Sequence, residues 1–186
     1  MLPFLFRREM PMELLSISAA NYFRAQNSSY PPSGRPAREI PPGYRQFQVT
    51  TCLHRKDFDE VVDELMNWVM HSRSGVRVLA SAPTVHTGEV VVLKLGRGPF
   101  SINAPCRILE TFDEPRRKGF TYCTLPGHPE SGIETFLVEV GIDGNIYFTI
   151  VAISRAATIS ARMGGPFTRA VQRCMTQRYA RALDRT

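Results

Sequence analysis

Residues 76–154 hold six short segments rich in Val, Ile, Leu, Phe and Tyr, and none of them keeps a helical repeat long enough to be a helix. The segments are 76–80, 89–95, 101–112, 117–125, 133–140 and 145–154, with Asp113-Glu114-Pro115 and Asp143-Gly144 as turn signals between neighbours. Such short connections suit hairpins, whereas a parallel crossover takes about a dozen residues or more. The spacing therefore predicts an antiparallel meander paired in chain order. A sheet of this kind has an apolar face that it cannot bury alone.

The cover follows directly. Residues 158–183 read as one long amphipathic helix with Ile159, Met163, Phe167, Ala170, Val171, Cys174 and Ala182 facing inward, and Gly164-Gly165-Pro166 kinking it or interrupting its first turns. Upstream, Phe47, Val49, Thr51 and Leu53 alternate with polar neighbours as a half-buried strand. A helix begins at Asp57, which forms an N-cap box with Glu60. It carries Phe58, Val61, Val62, Leu65, Met66 and Val69 on one face, and Ser74-Gly75 closes it near His71. The order strand, helix, six strands, helix gives an α+β fold of the helix-grip type, a curved antiparallel sheet of about seven strands wrapped around the C-terminal helix.

Residues 46–186 form that domain, and residues 1–45 form an arm of different character. A short helix is expected around residues 12–24, and five of the 14 prolines then fall between positions 31 and 42, where they forbid regular helix or a central strand. Tyr30, Ile40 and Tyr44 give the arm apolar anchors, so it is expected to lie ordered against the domain. Two roles fit: a lid over one cavity mouth with Tyr30 or Tyr44 as its gate, or a cover for an exposed sheet edge.

At 186 residues, 43% hydrophobic and 22% charged, the chain can bury a core without disulfides or metal. No apolar run approaches the roughly 18 residues of a membrane span, which points to a soluble, cytoplasmic protein. Cys52, Cys106, Cys123 and Cys174 form no CxxC pair, so reduced, mostly buried thiols are expected. The net charge of +6 resides wholly in the segment from Arg155 onward, which has seven arginines and one acid. A solvated helix face accounts for this. Nucleic acid ranks last as a partner, because Phe167 and Tyr179 are the only aromatics interleaved with those arginines.

Familiar catalytic patterns fail on spacing. Gly127-His128-Pro129-Glu130-Ser131-Gly132 is not a GxSxG elbow, Gly96-Arg97-Gly98 lacks a third glycine, and His128 with Glu130 is followed by no CxxC. No metal site and no cofactor are expected. The sheet is more informative. Even positions from Phe100 to Phe112 make the apolar face of the 101–112 strand. A hairpin centred near Arg116 sets Phe120 opposite Phe112 and Tyr122 opposite Glu110. A three-residue turn with Gly144 left-handed sets Val138 opposite Phe148 and Glu134 opposite Ala152. Glu110, Tyr122, Thr124, Glu134 and Ser154 then point inward, where polar groups must be paired, hydrated or waiting for a ligand.

Several stretches together resemble a domain-of-unknown-function family of bacteria and plants. They are the Gly127–Gly132 loop followed by Glu134 and Phe136, Ala104-Pro105-Cys106-Arg107, the run from Met70 through His71 to Val76, and Arg178-Tyr179-Ala180-Arg181-Ala182-Leu183. The resemblance spans roughly residues 28–183. That family is placed in the SRPBCC superfamily with START lipid carriers, Bet v 1-like proteins and polyketide cyclases. The resemblance implies a helix-grip fold with an apolar cavity and supplies no catalytic residue. The chain departs from many superfamily members in fitting only one helix between its first two strands, where they have two.

The first reading is therefore a module that binds a small, largely apolar ligand, with Glu110, Tyr122, Thr124, His128, Glu130, Glu134, Ser154, Tyr30 and Tyr44 as candidate contacts. A cyclase-like or hydratase-like enzyme with an inward Glu as base and Tyr122 or His128 as acid is the alternative. Binding of an anionic partner through the arginine-rich helix is the third.

Overall fold

The computed structural model describes residues 11–31, 40–96, 101–157 and 165–185, with the backbone alone for 165–173. The elements in chain order are β1 (Glu13–Leu14), α1 (Ile17–Ala25), β2 (Arg45–Cys52), α2 (Phe58–Met66), α3 (Val69–Arg73), β3 (Arg77–Ala80), β4 (Val90–Leu95), β5 (Ile102–Glu114), β6 (Arg117–Thr124), β7 (Glu130–Val140), β8 (Ile146–Ala156) and α4 (Gly165–Leu183). Among the described residues these strands form one eight-stranded, unclosed sheet in the order β1-β3-β4-β5-β6-β7-β8-β2. Every neighbouring pair is antiparallel except β1 with β3. No helix among them is long and apolar enough to cross a membrane.

The meander pairs in chain order, as its short turns require, and β2 closes onto β8 rather than onto β3. The helices between β2 and β3 make that jump possible. Asp57 caps α2, its carboxylate accepting from the Glu60 amide at 2.9 Å. The single helix expected here is in fact two. Trp68, at φ 64°, takes a left-handed turn that ends α2 and starts α3. The apolar spacing runs on across this break, so periodicity alone could not mark it. The departure expected of this chain, one helix where relatives have two, is thereby corrected.

The β5–β6 register also differs from expectation. The hairpin turns on two residues, pairing Glu114 with Arg117, so Phe120 faces Thr111 and Phe112 faces Gly119. A bulge between Ile108 and Glu110 then shifts the ladder, and Tyr122 pairs with Ile108, not Glu110. A slip of one residue exchanges the two faces of a strand, and the bulge undoes the slip. Ala104, Cys106 and Ile108 keep the inward face, whereas Glu110 pairs with Thr121 on the other side. The β7–β8 ladder matches its expected register: Glu134 faces Ala152, Val138 faces Phe148, and Gly144 is left-handed at φ 75°.

The helix side of the sheet carries the main core. Phe120, Phe136, Phe148, Ile108 and Ile150 pack with Leu65 of α2, Met70 of α3 and Trp68 from the turn between them, and with Tyr179, Ala180 and Leu183 from α4. The inward face of α4 includes Ala182, as expected, but is otherwise phased differently. Thr176, Tyr179, Ala180 and Leu183 are buried at helical spacing, and Cys174 is exposed. Ile159 and Met163 lie outside the described residues, as do the side chains of Phe167, Ala170 and Val171. Cys52 is exposed as well, so two of the four free thiols are buried, Cys106 and Cys123.

One buried arginine anchors the end of α4. Arg55 bonds Glu60 at 2.7 Å and Glu64 at 2.6 Å, and donates to the Leu183 and Arg185 carbonyls at 3.3 and 3.4 Å. These contacts supply acceptors for a buried charge and donors for helix-terminal carbonyls. They fix the level at which Tyr179 enters the core.

The described part of the N-terminal arm is docked on the domain. β1 extends the β3 edge by two residues, and α1 lies over Val90 and Leu125 through Ala20 and Phe23, joined by Leu15 just before the helix. Tyr30 and Tyr44 meet edge to face at 5.2 Å over Cys123, Ile133 and Ile153. Those three residues alternate with Phe136 and Tyr122, so the tyrosines pack on the face of the sheet away from α4.

Candidate functional site

Two rows of the helix side meet at the centre of the sheet. One runs Ile108, Tyr122, Glu134, Ala152, Phe47, and the next runs Phe120, Phe136, Ile150, Val49. Glu134 is thus a carboxyl group set among apolar residues by strand alternation. The Tyr122 hydroxyl donates a short hydrogen bond to its Oε2. Burial pushes Glu134 up to about 7, against the Tyr122 hydrogen bond that pulls it down, while the charge of Glu130 adds to the rise. Burial also holds both tyrosines, Tyr122 and Tyr179, well above the ordinary phenol range, with Glu134 as the next cause for each. Unlike Phe136 and Phe120 beside it, Glu134 keeps accessible surface.

Glu130 lies on the same face of β7, two strand repeats from Glu134. The Ser154 hydroxyl donates to its carboxylate, and burial raises it against that bond. Gly132 between the two acids has no side chain to interpose. A Cβ there would stand 2.4 Å from the Ile153 carbonyl oxygen and 2.6 Å from the Ser154 Cβ. Glycine at this position is what lets Ser154 approach. Within the Gly127–Gly132 loop, His128 Nδ1 accepts the Glu130 amide at 2.9 Å, and desolvation lowers the ring to about 4. That nitrogen holds the turn.

Above Phe136 sits a group that the inward-residue argument missed. His71 of α3 is fully buried, with its ring centroid 5.5 Å from Phe136, 5.4 Å from Trp68 and 5.1 Å from Tyr179. Among the described residues neither of its ring nitrogens has a hydrogen-bond partner, nor does the buried Nε1 of Trp68. Desolvation lowers His71 to about 3, so the imidazole is neutral at physiological pH. Phe136 joins the two polar clusters, its ring lying 5.4 Å from Tyr122 on one side and facing His71 on the other. His71 and Tyr179 both lie in stretches that carry the family resemblance, which is the signal that could have singled them out.

The remaining expected site residues fall elsewhere. Glu110 stands with Thr121 and Thr135 on the side of the sheet away from α4, and its Oε1 is buried without a partner. Thr124 is consumed by structure: its hydroxyl bonds the Gly132 backbone and Ser29. Tyr44 bonds Ser131 at 2.6 Å, and Arg155 lies over its ring at 4.9 Å. Because Tyr30 and Tyr44 lie on the far face, the expectation that either gates a helix-side mouth is corrected.

The sequence matches the Domain of unknown function (DUF1990) family over residues 29–182, most of its length. The chain belongs to this family. A UPF0548 protein of Deinococcus radiodurans is 40% identical over 115 residues, which are 57% of this chain and 58% of that protein. The chain thus spans well under two thirds of the length of this curated relative. Among solved structures, hypothetical protein jhp0584 from Helicobacter pylori superposes with a TM-score of 0.60 at 10% identity, over 83% of this chain and 92% of that one. Major latex-like protein 151 from Panax ginseng superposes at 0.53 with 14% identity, over 76% and 96%. At these identities the likeness establishes the fold, α+β with a large, mostly antiparallel, unclosed sheet and few helices.

Proposed function

We propose that the protein is a helix-grip binding module that holds a small, largely apolar molecule between the helix side of its sheet and α4. The observation that carries this reading is the Tyr122–Glu134 pair, a carboxyl and a phenol placed in the middle of an otherwise aromatic and aliphatic surface. Small-molecule sites combine apolar walls with a few oriented polar groups, and the set here has that composition. Glu134 anchors the ligand, Tyr122 orients Glu134, and Tyr179 presents a second phenol from α4. Glu130 and Ser154 mark the neighbouring end of the same face. The resemblance to the SRPBCC superfamily, with its apolar cavities, supports the same conclusion. Native mass spectrometry of the purified chain, followed by a thermal-shift screen of lipids and aromatic metabolites, tests it. Retained ligand, or stabilisation by one chemical class that Glu134→Ala abolishes, is the expected result. No ligand and no stabilised class would sink the reading.

A second reading rests on the Glu134 carboxyl, held near 7 and hydrogen-bonded to a phenol. Such a group can accept a proton at neutral pH, as a general base in a cyclisation or hydration would. Turnover of a bound ketone-bearing substrate that disappears in Glu134→Gln while binding persists would establish it. Binding and turnover lost together would leave only the first reading.

A further inference from the structure

Leaving a buried polar atom without a partner costs about 1–3 kcal/mol, and native folds keep few of them. Here three lie together, both ring nitrogens of His71 and Nε1 of Trp68, on two rings whose centroids are 5.4 Å apart. The backbone adds to the cost, since Trp68 is a bulky residue held at φ 64°, the one positive-φ residue other than glycine among those described. That turn sets the indole over Phe120 and beside the imidazole, whose own ring adjoins Phe136 and Tyr179. Four aromatic rings, those of Trp68, Phe120, Phe136 and Tyr179, adjoin the imidazole. Arg55, the buried cation nearby in the chain, is engaged by Glu60 and Glu64.

We propose that His71 and Trp68 form the hydrogen-bonding station of the binding site, reading an uncharged hydroxyl or carbonyl group on a planar aromatic ligand. This deepens the binding reading and rests on it. A neutral imidazole offers one donor and one acceptor, and the indole adds a donor, so a hydroxyl can satisfy two of the three atoms and a carbonyl can accept from both rings. Flat walls of Phe120, Phe136 and Tyr179 favour a planar ring by offset or edge contacts. An anionic ligand is rejected, because its charge would be desolvated among apolar rings. Trp68 is the chain's only tryptophan, so its emission reports on this station alone.

The test uses the full chain and three probes of one shape: 2-naphthol, naphthalene and 2-naphthoate. Affinities are measured by calorimetry in wild type and in His71→Phe, which keeps an aromatic ring and removes both nitrogens. The His71 ring nitrogens are followed by NMR in wild type. The expected result is that 2-naphthol binds about tenfold tighter than naphthalene, 2-naphthoate is not bound, and His71→Phe erases the tenfold while naphthalene affinity holds. Addition of 2-naphthol should shift the His71 nitrogen resonances, a readout that stands even if the variant fails to fold. Equal binding of naphthalene and 2-naphthol, or 2-naphthol bound with the His71 resonances unmoved, overturns the station and leaves the binding module standing. No binding of any of the three overturns the station, and the binding module then stands or falls on the thermal-shift screen.

Discussion

Glu134 and Tyr122 are directly paired across the β6–β7 ladder, and the phenol gives its hydrogen to the carboxyl at the centre of the sheet. A hydrogen bond to the ionised form lowers a carboxyl's pKa, yet burial outweighs it and leaves the group at about 7. The folded chain therefore keeps a proton on Glu134 that the unfolded chain, with an ordinary value of 4.5, has already released. Across that window the native state binds more protons, so this group's contribution to stability is present below pH 4.5 and is lost as pH rises through 7. Glu134→Gln keeps an acceptor for Tyr122 and abolishes the titration. Urea unfolding at pH 4.5, 6 and 8 should show the variant gaining on wild type as pH rises, by on the order of 2–3 kcal/mol at pH 8, given about 1.4 kcal/mol per pKa unit. A constant difference at all three pH values would contradict it.

His71 works with the opposite sign. Its folded value of about 3 lies below the ordinary 6.5, so the unfolded chain takes up a proton that the folded chain refuses. Its contribution is complete above pH 6.5 and is lost as pH falls toward 3. His71→Phe should therefore flatten the acid limb of the stability profile, gaining on the order of 3 kcal/mol at pH 4 relative to its difference from wild type at pH 7. Acid unfolding of the two proteins followed by far-ultraviolet circular dichroism measures it, and parallel acid limbs would refute the assignment of a neutral buried imidazole.

The glycine between the two inward acids makes a prediction about geometry. A Cβ on Gly132 would fall 2.8 Å from the Ser154 Cα, in addition to its contacts with the Ile153 oxygen and the Ser154 Cβ. Two of those neighbours are backbone atoms that cannot move without parting β7 from β8. Gly132→Ala should cost about 3 kcal/mol or more, the range of overpacked or strained interior sites. Ser154→Gly in the same chain should recover only part of that loss, because the Ile153 carbonyl remains. Chemical denaturation of the single and double variants checks this, and full recovery in the double variant would place the clash in the Ser154 side chain alone.

What the chain declares and what it conceals can be separated at particular residues. Strand alternation from Glu130 to Val140 and the left-handed Gly144 set the β7–β8 ladder, so Glu134 was legible as an inward acid. Asp57 declared the start of α2 because a cap is a local interaction. The bulge at Leu109 left no mark in the letters, and it moved Glu110 to the other face. The turn at Trp68 was equally silent, since no glycine or proline sits there and the apolar period continues across it. His71 stayed hidden for the same reason, because its partners Phe136 and Tyr179 come from distant parts of the chain. Local chemistry was readable, and whatever depended on how separate elements met was not.

The arm is strapped to the sheet around Ser29 and Tyr30. Ser29 donates its amide to the Thr124 carbonyl at 2.9 Å, the Ser131 hydroxyl donates to the Ser29 carbonyl at 2.6 Å, and Tyr30 stands on Tyr44 above Cys123, Ile133 and Ile153. The two tyrosines lie on the face of the sheet opposite Glu134 and cover apolar surface there, while Ser29 Oγ meets the Thr124 hydroxyl at the end of β6 and Met12 packs at the margin of the helix-side core. Tyr30→Ala should then cost about 3 kcal/mol, as aromatic truncations in cores do, and leave the affinity and release rate of a helix-side probe unchanged. Deleting residues 1–43 should go further and expose the β3 edge together with the Ile133–Ile153 surface, which favours association between chains. Light scattering and stopped-flow release of 2-naphthol, or of whichever probe the thermal-shift screen selects, distinguish the two roles. Faster release in Tyr30→Ala with stability intact would make the strap a gate, acting through the sheet on a site it does not touch.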